Sequence, residues 1–164
     1  MNRYEQRIAA FYAAFRELDA AKMKAAYAAD ARFQDPAFRL EGRDEIGAMW
    51  AMLCEATAKK GRDVWRLDFS NIEGDASHCR AHWEATYRFS ATGRIVHNVI
   101  DANFSFDESG LILAHRDRFD FWRWSRQAMG PLGWALGWTP LLQNKVRAKA
   151  RGNLEAYRRG SARG

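Results

Sequence analysis

Three ionisable side chains stand where proton transfer could be done. Asp35 lies in ARFQDPAF, residues 31–38, wedged between Phe33 and Phe38 and followed at once by Pro36. Asp-Pro is ordinary turn chemistry, and a turn alone accounts for the proline. The aromatic flanks point instead to an enclosed carboxylate, which burial makes more basic and fit to act as a general base. His115 and Asp117 stand two apart in LILAHRDRFDFWRW, so on a strand they share one face. A histidine exchanges protons near neutral pH, and a neighbouring carboxylate can orient it. A purely structural role stays open for each: a turn for Asp35, a hydrogen bond inside a sheet for His115, an ion pair with a nearby arginine for Asp117.

Other candidate clusters carry less. His78, His82 and Glu84 alternate along one strand face, and a His-x-x-x-His spacing suits metal binding on a helix better than on a strand. That set reads as a solvated or dimer-forming face. Cys54 and Cys79 are the only cysteines, without a CxxC spacing or a histidine at ligand distance in sequence. Two buried free thiols in a reducing cytoplasm are the expectation. GRDE, residues 42–45, starts a helix and lacks the glycine pattern of a phosphate loop. No metal and no cofactor are expected.

The elements that must position these groups follow from periodicity. Ile8, Phe11, Tyr12, Phe15 and Leu18 form one helical stripe. Asp19 reads as the N-cap of a second, short helix reaching about Tyr27. Residues 28–42 read as a loop or short strand, and a third helix runs from about Asp44, which can cap it, with Ile46, Met49, Trp50 and Leu53 on one face, closed by Lys59, Lys60 and Gly61. From residue 62 the period becomes two. Four strands are predicted, over 63–71, 77–90, 94–107 and 111–123, with turns at ATG (91–93) and DESG (107–110). Helices followed by an antiparallel meander indicate an α+β fold with helices on one face of a curved sheet. GPLGWALGWTP, residues 130–140, reads as a tight hydrophobic turn or short helix, and Trp122, Trp124, Trp134 and Trp138 read as packing the tail onto the body. Thr139 and Pro140 then open a terminal helix reaching about Arg159.

Composition bounds the function classes. The chain has 164 residues, 48% hydrophobic and 28% charged, with seven tryptophans, and reads as one domain able to bury a substantial core. Arg3, Glu5 and Arg7 interrupt the N-terminal apolar stretch, against a secretory signal, and no run of apolar residues is long enough to span a membrane. The net charge of +6 sits entirely in residues 143–164, which hold seven basic side chains and one acid; residues 1–142 hold 19 of each sign. The basicity is therefore a tail property. It reads as a solvated helix end, or as weak attraction to RNA or an anionic lipid surface.

The order of two helices, Y-A-x-D-A-x-F-x-D-P (Tyr27, Ala28, Asp30, Ala31, Phe33, Asp35, Pro36), G-R-x-E-I (Gly42, Arg43, Glu45, Ile46) and the strand–turn–strand FDESGLI at 106–112 resembles the NTF2-like superfamily of cystatin-like α+β cones. Within it the chain is most similar to the SnoaL-like and ketosteroid isomerase-related families, over residues 5 to 125. The resemblance implies helices and a concave sheet enclosing a conical pocket, an NTF2-like domain over 1–125, and a C-terminal extension over 126–164 packed on the same domain. It implies a homodimer formed through the sheet.

It also implies a general-base role for Asp35, the counterpart of the steroid isomerases' aspartate, an enzyme that serves as a standard case of acid–base tuning. The isomerases' oxyanion partners are missing. Counted without gaps, their tyrosine position falls on Phe11, one residue from Tyr12, and their second acid on Ala102, with Asp101 on the opposite strand face. The resemblance places His115 and Asp117 in the cone instead, with Asp35 as base, His115 as partner acid or base and Asp117 as its orienter. Phe11, Tyr12, Phe15, Trp50 and Phe119 shape the walls. The expected chemistry is isomerisation, cyclisation or dehydration of a small hydrophobic carbonyl compound. The alternative is a non-catalytic ligand-binding or dimerisation module. A cytoplasmic location is expected, with no membrane partner, and no nucleic acid since only the tail is basic.

Overall fold

The Asn2 side chain caps the first helix, accepting from the backbone N–H of Tyr4 and Glu5, while the Glu5 carboxylate reaches back to the Asn2 N–H. This helix, α1 (Arg3–Arg16), buries Ile8, Phe11, Tyr12 and Phe15 along one stripe. The computed structural model describes all 164 residues. Asp19 caps α2 (Ala20–Ala25), as its sequence position indicates, by accepting from the Lys22 N–H. Its helix ends at Ala25, and Tyr27 already belongs to a strand.

The stretch expected as loop or short strand forms two strands, β1 (Tyr27–Gln34) and β2 (Arg39–Glu41), joined by the Asp35–Pro36 turn. The third helix, α3 (Arg43–Lys60), has Gly42 at its N-cap position with φ of 90° and no side-chain cap; Asp44 lies in the first turn and pairs with Lys24. Asp44 is thus a first-turn acid that favours the helix dipole, and not the cap. The meander follows as β3 (Arg66–Gly74), β4 (His78–Arg88), β5 (Ile95–Phe106) and β6 (Ile112–Arg118). The sheet has six strands in the order β2-β1-β6-β5-β4-β3, and β1 runs parallel to β6 while every other pair is antiparallel.

That parallel pair decides the site, because it lays the Asp35 motif beside the His115 strand. Period-two reading of the antiparallel strands holds: Cys79, Ala81, Trp83 and Ala85 of β4 and Val96, Asn98, Ile100, Ala102, Phe104 and Phe106 of β5 are buried on one face. α1 and α3 pack on this concave face. Around Phe11 the rings of Tyr12, Tyr27, Trp50, Phe104 and His115 meet edge to face. Such pairs add about 0.5–1.5 kcal/mol each beyond area burial. Cys54 and Cys79 are buried free thiols, pushed by burial up to about 12 and about 11.

The fourth expected strand stops at Arg118, five residues short. Asp120 accepts from the Arg123 N–H and turns the chain into α4 (Phe121–Met129). Gln127 on this helix replaces the missing strand. Its side-chain amide accepts from the His97 N–H and donates to the His97 carbonyl, pairing the part of β5 that outruns β6. Trp124 buries against Val96 and Ala128 and donates to the Tyr87 hydroxyl. A register shift opposite Ser105 and Phe106 leaves Leu113 exposed, although it has the parity of His115.

Residues 130–140 form α5 (Pro131–Leu136), and Thr139 caps α6 (Pro140–Ser161). α6 drops Leu154 into the main core, and its Arg151 and Arg158 both grip the Glu45 carboxylate of α3. The expectation that the tail tryptophans pack onto the body holds for Trp124 only. Trp134 and Trp138 are 59% and 70% exposed.

Candidate active site

β1 and β6 place three acidic or basic groups on one concave face. The parallel register sets Phe33 against His115 and Gln34 against Arg116 and ends there, so Asp35 opens the turn after β1 beside the strand that carries Asp117. His115 and Asp117 are buried to 2% and 4% exposure. The Tyr27 hydroxyl lies 2.7 Å from His115 Nδ1, and His115 Nε2 lies 2.9 Å from Asp117 Oδ1. Trp50 Nε1 donates to the Tyr27 oxygen at 3.0 Å, and Trp83 Nε1 to Asp117 Oδ1 at 3.5 Å.

These contacts run in one direction. The Asp117 carboxylate only accepts, so Nε2 is the protonated nitrogen that donates to it, and in the neutral ring Nδ1 then accepts the Tyr27 proton. Both ring nitrogens of His115 are occupied. Burial raises the Tyr27 phenol well above its ordinary range, with the Asp117 charge adding to the effect, so Tyr27 holds its proton as a fixed donor.

Asp35 is different. The residue is half-buried. Oδ1 accepts from the Ala37 and Phe38 N–H groups at 2.7 and 2.6 Å, the geometry of an Asx turn. The turn reading therefore holds. Burial pushes Asp35 up to about 7, assisted by the Asp117 charge and opposed by the two N–H donors and by Arg147. Neither Asp35 Oδ2 nor Asp117 Oδ2 takes a hydrogen bond from the protein. Each carboxylate thus has one oxygen engaged and one to spare.

Of the expected wall residues, Phe11, Tyr12, Phe15 and Trp50 are buried in the core, ring against ring, and Phe119 is half-buried. Phe119 and Tyr87 border both apolar clusters, the one under α1 and α3 and the one under α4. The Tyr12 hydroxyl is buried without any partner. Its ring stacks on Phe69, and burial together with the Asp117 charge holds its phenol proton firmly. α6 lies over the Asp35 turn, where Gln143 and Arg147 both donate to the Pro36 carbonyl.

Two surface clefts stand apart from this network. One, of about 610 Å³, is lined by Arg94, Ile95, Arg123, Arg126, Gln127 and Trp134; the other, of about 180 Å³, lies around Gly42 and Arg158. Nowhere do three or more His, Cys, Asp or Glu side chains converge as a ligand set for a metal ion. On the opposite face of the sheet His82 bonds Asp101 and Glu84, and His97 bonds Glu84. Asp101 therefore points away from the cone, as its strand parity requires, and Ala102 fills the inward position.

Tyr27 escaped the reading of site residues, although it begins the motif that carries Asp35. Counting back in twos from Asp35 reaches Phe33 and Ala31, but a register shift between Tyr27 and Arg32, with Ala29 exposed, breaks the count before Tyr27. That count needed residues 27–34 to be a strand, and the motif's Asp and Ala residues hide the strand signal.

The matches to known proteins follow the same lines. The model of the SnoaL-like domain matches residues 8–115. Among curated proteins none matches the chain in sequence. Among solved structures, an LEH-like epoxide hydrolase of M. tuberculosis is 17% identical with a TM-score of 0.62, over 79% of this chain and 91% of that one. An NTF2-like protein of Burkholderia pseudomallei is 18% identical with a TM-score of 0.63, over 79% and 99%. A protein called a polyketide cyclase from Xanthomonas campestris is 19% identical with a TM-score of 0.59, over 77% and 96%. At these identities the likeness establishes the fold. With the family model spanning most of the chain on this architecture, the protein belongs to the SnoaL-like domain family and has the NTF2-like fold.

Proposed function

We propose that the chain is an acid–base enzyme acting on a small apolar compound with an enolisable carbonyl or an epoxide, and that Asp35 and Asp117 move the protons. One observation carries this reading: the β1–β6 register brings the Asp35 turn to the end of the strand that bears Asp117, and each carboxylate has one oxygen held and one without a protein partner. Two carboxyl groups with different surroundings divide into an acid and a base. Asp117 is held at Oδ1 by His115 and Trp83. Asp35, pushed up to about 7, passes between its two forms at neutral pH and can take a proton from carbon or give one to oxygen. The SnoaL-like family and the names of its structural relatives, an epoxide hydrolase and a polyketide cyclase, fit this class of chemistry.

His115 takes a different part from the one its residue type suggests. With Nδ1 and Nε2 both engaged it has no atom for a substrate, so it is a positioning residue that holds Asp117 Oδ1 and turns Oδ2 free. The unpartnered Tyr12 hydroxyl is a donor left for a substrate oxygen. A ligand would enter beside Phe119 and Tyr87, under α6. A second reading, a binding module without turnover, is favoured by the close ring packing around His115.

The test is to follow a panel of apolar ketones, 1,3-diketones and epoxides by NMR in D2O, watching for C–H exchange or ring opening. Turnover of a panel member is expected, falling by about 100-fold or more in folded Asp35→Asn and Asp117→Asn. Turnover that survives both substitutions removes the carboxylate pair from the chemistry. Binding that shifts Tyr87 and Phe119 resonances with no turnover supports the second reading.

A further inference from the structure

α5 is packed inside out. Gly133 and Gly137 are buried against α4, so closely that a Cβ on Gly133 would sit 1.9 Å from the Ser125 carbonyl oxygen and one on Gly137 1.9 Å from the Ser125 hydroxyl. The small residues of the helix therefore face the protein. Its large ones, Leu132, Trp134 and Leu136, face outward, followed by Trp138 and Leu141, exposed to 70% and 59%. Soluble proteins seldom expose so large a contiguous apolar patch without a use for it.

Charge indicates what the patch meets. Residues 127–144 contain no charged side chain, and residues 121–154 contain six basic ones and no acid. Arg126 is held between the faces of Trp122 and Trp134, 4.4 and 4.6 Å from the ring centroids. Beside Trp134 opens the cleft of about 610 Å³, whose cations are Arg94, Arg123 and Arg126. No carboxylate pairs with any of the three, whereas the arginines at the far end of α6 grip Glu45. Tryptophan and leucine rimmed by unpaired arginine is the composition of a surface that lies in the headgroup boundary of a bilayer.

We propose that the α4–α5 face and the start of α6 dock on an anionic lipid bilayer, with Trp134, Trp138 and Leu141 entering the interface and the arginine cleft receiving a lipid phosphate. No helix is long and apolar enough to cross a membrane, and this surface needs none, since it lies on the bilayer without spanning it. The absence of a membrane partner, expected on sequence grounds, rested on the lack of a spanning segment alone. A second copy of the chain is a poorer occupant, because two such faces would bring unpaired arginines against each other. RNA would leave the leucines without a partner.

The experiment uses the full chain with vesicles of neutral phosphatidylcholine, and of phosphatidylcholine with about a third phosphatidylglycerol, in co-sedimentation. Binding to the anionic vesicles alone is expected, weakening steeply as salt is raised. Trp134→Ser with Trp138→Ser is expected to lower partitioning by at least about tenfold. Arg94→Gln with Arg123→Gln is expected to lower it about fivefold for each charge removed. All four side chains are exposed, so unchanged thermal unfolding shows that the fold persists. Failure to bind anionic vesicles at low salt overturns the proposal, as does binding that ignores the tryptophan pair. So does a protein that sediments as a dimer dissociated by those substitutions without touching vesicles, or one that RNA binds in their place.

Discussion

The Tyr27 hydroxyl stands 2.7 Å from Nδ1 of His115, and this contact fixes which proton the imidazole can offer. Nε2 faces the Asp117 carboxylate and donates to it, so in the neutral ring Nδ1 takes the Tyr27 proton, while the Tyr27 oxygen accepts the Trp50 N–H. Tyr27→Phe leaves the Trp50 N–H and the His115 Nδ1 lone pair buried without partners. The expected cost is about 2–4 kcal/mol in urea denaturation, from two orphaned groups. Imidazole 15N shifts in the wild-type protein should report the Nε2–H form. An Nδ1–H form would reverse the chain and return a free Nε2 to the site.

Asp35 links the site to pH. An ordinary unfolded aspartate titrates near 3.9, and in the folded chain burial raises Asp35 to about 7. The folded state binds this proton more tightly than the unfolded one, so the group's favourable contribution is complete below pH about 4 and is lost as pH rises through about 7. Asp35→Asn keeps an Oδ1 for the Ala37 and Phe38 N–H groups and carries no charge to bury. It should match the wild type near pH 4 and exceed it near pH 8, by at most about 4 kcal/mol, and by less because the residue is half-buried. Denaturation midpoints at a series of pH values check this. A difference independent of pH would mean that the carboxyl is not perturbed in the folded chain.

How far the sequence reveals all this differs between strands and site. β4 and β5 are legible because one face is buried and the other solvated, so Trp83 and Glu84, or Ile100 and Asp101, differ in kind. β1 is not legible, because it mixes Asp30 and Arg32 with small alanines and gains its partner, β6, from the far end of the chain. The end of β6 was missed for a local reason: Phe119, Phe121 and Trp122 look like strand residues, but Asp120 caps a helix there. Of the site, residue types single out Asp35, His115 and Asp117; the structure pairs His115 with Asp117 and sets Asp35 in the turn after β1. Their roles depend on Tyr27 and Trp50, whose polar atoms no spacing rule assigns, and those contacts move the free oxygens to the two aspartates.

α6 sets the charge felt at the site. Arg147 donates to the Pro36 carbonyl at 2.9 Å, and its positive charge lowers the Asp35 pKa against the raising effect of burial. Arg147→Gln removes that charge, and Asp35 should titrate higher than in the wild type. A 13C carboxyl titration of both proteins measures it. The pH at which stability declines should move up with it, since the two are the same equilibrium. An unchanged or lower Asp35 midpoint would show that α6 does not stand over the turn in solution.

Tyr12 separates stability from function. Its hydroxyl is buried against Phe69, Trp83 and Phe104 with no acceptor, and a buried unpaired hydroxyl costs about 1–3 kcal/mol. Removing it should therefore relieve the fold: Tyr12→Phe is expected to be about 1 kcal/mol more stable than the wild type. If the same hydroxyl serves a substrate oxygen, turnover of any compound that the Asp35–Asp117 pair accepts should fall by about tenfold or more while stability rises. Opposite signs in the two measurements are the mark of a group kept for chemistry. A variant that loses stability would instead mean that the hydroxyl has a bound water or another internal partner, and a variant with full turnover would remove Tyr12 from the site.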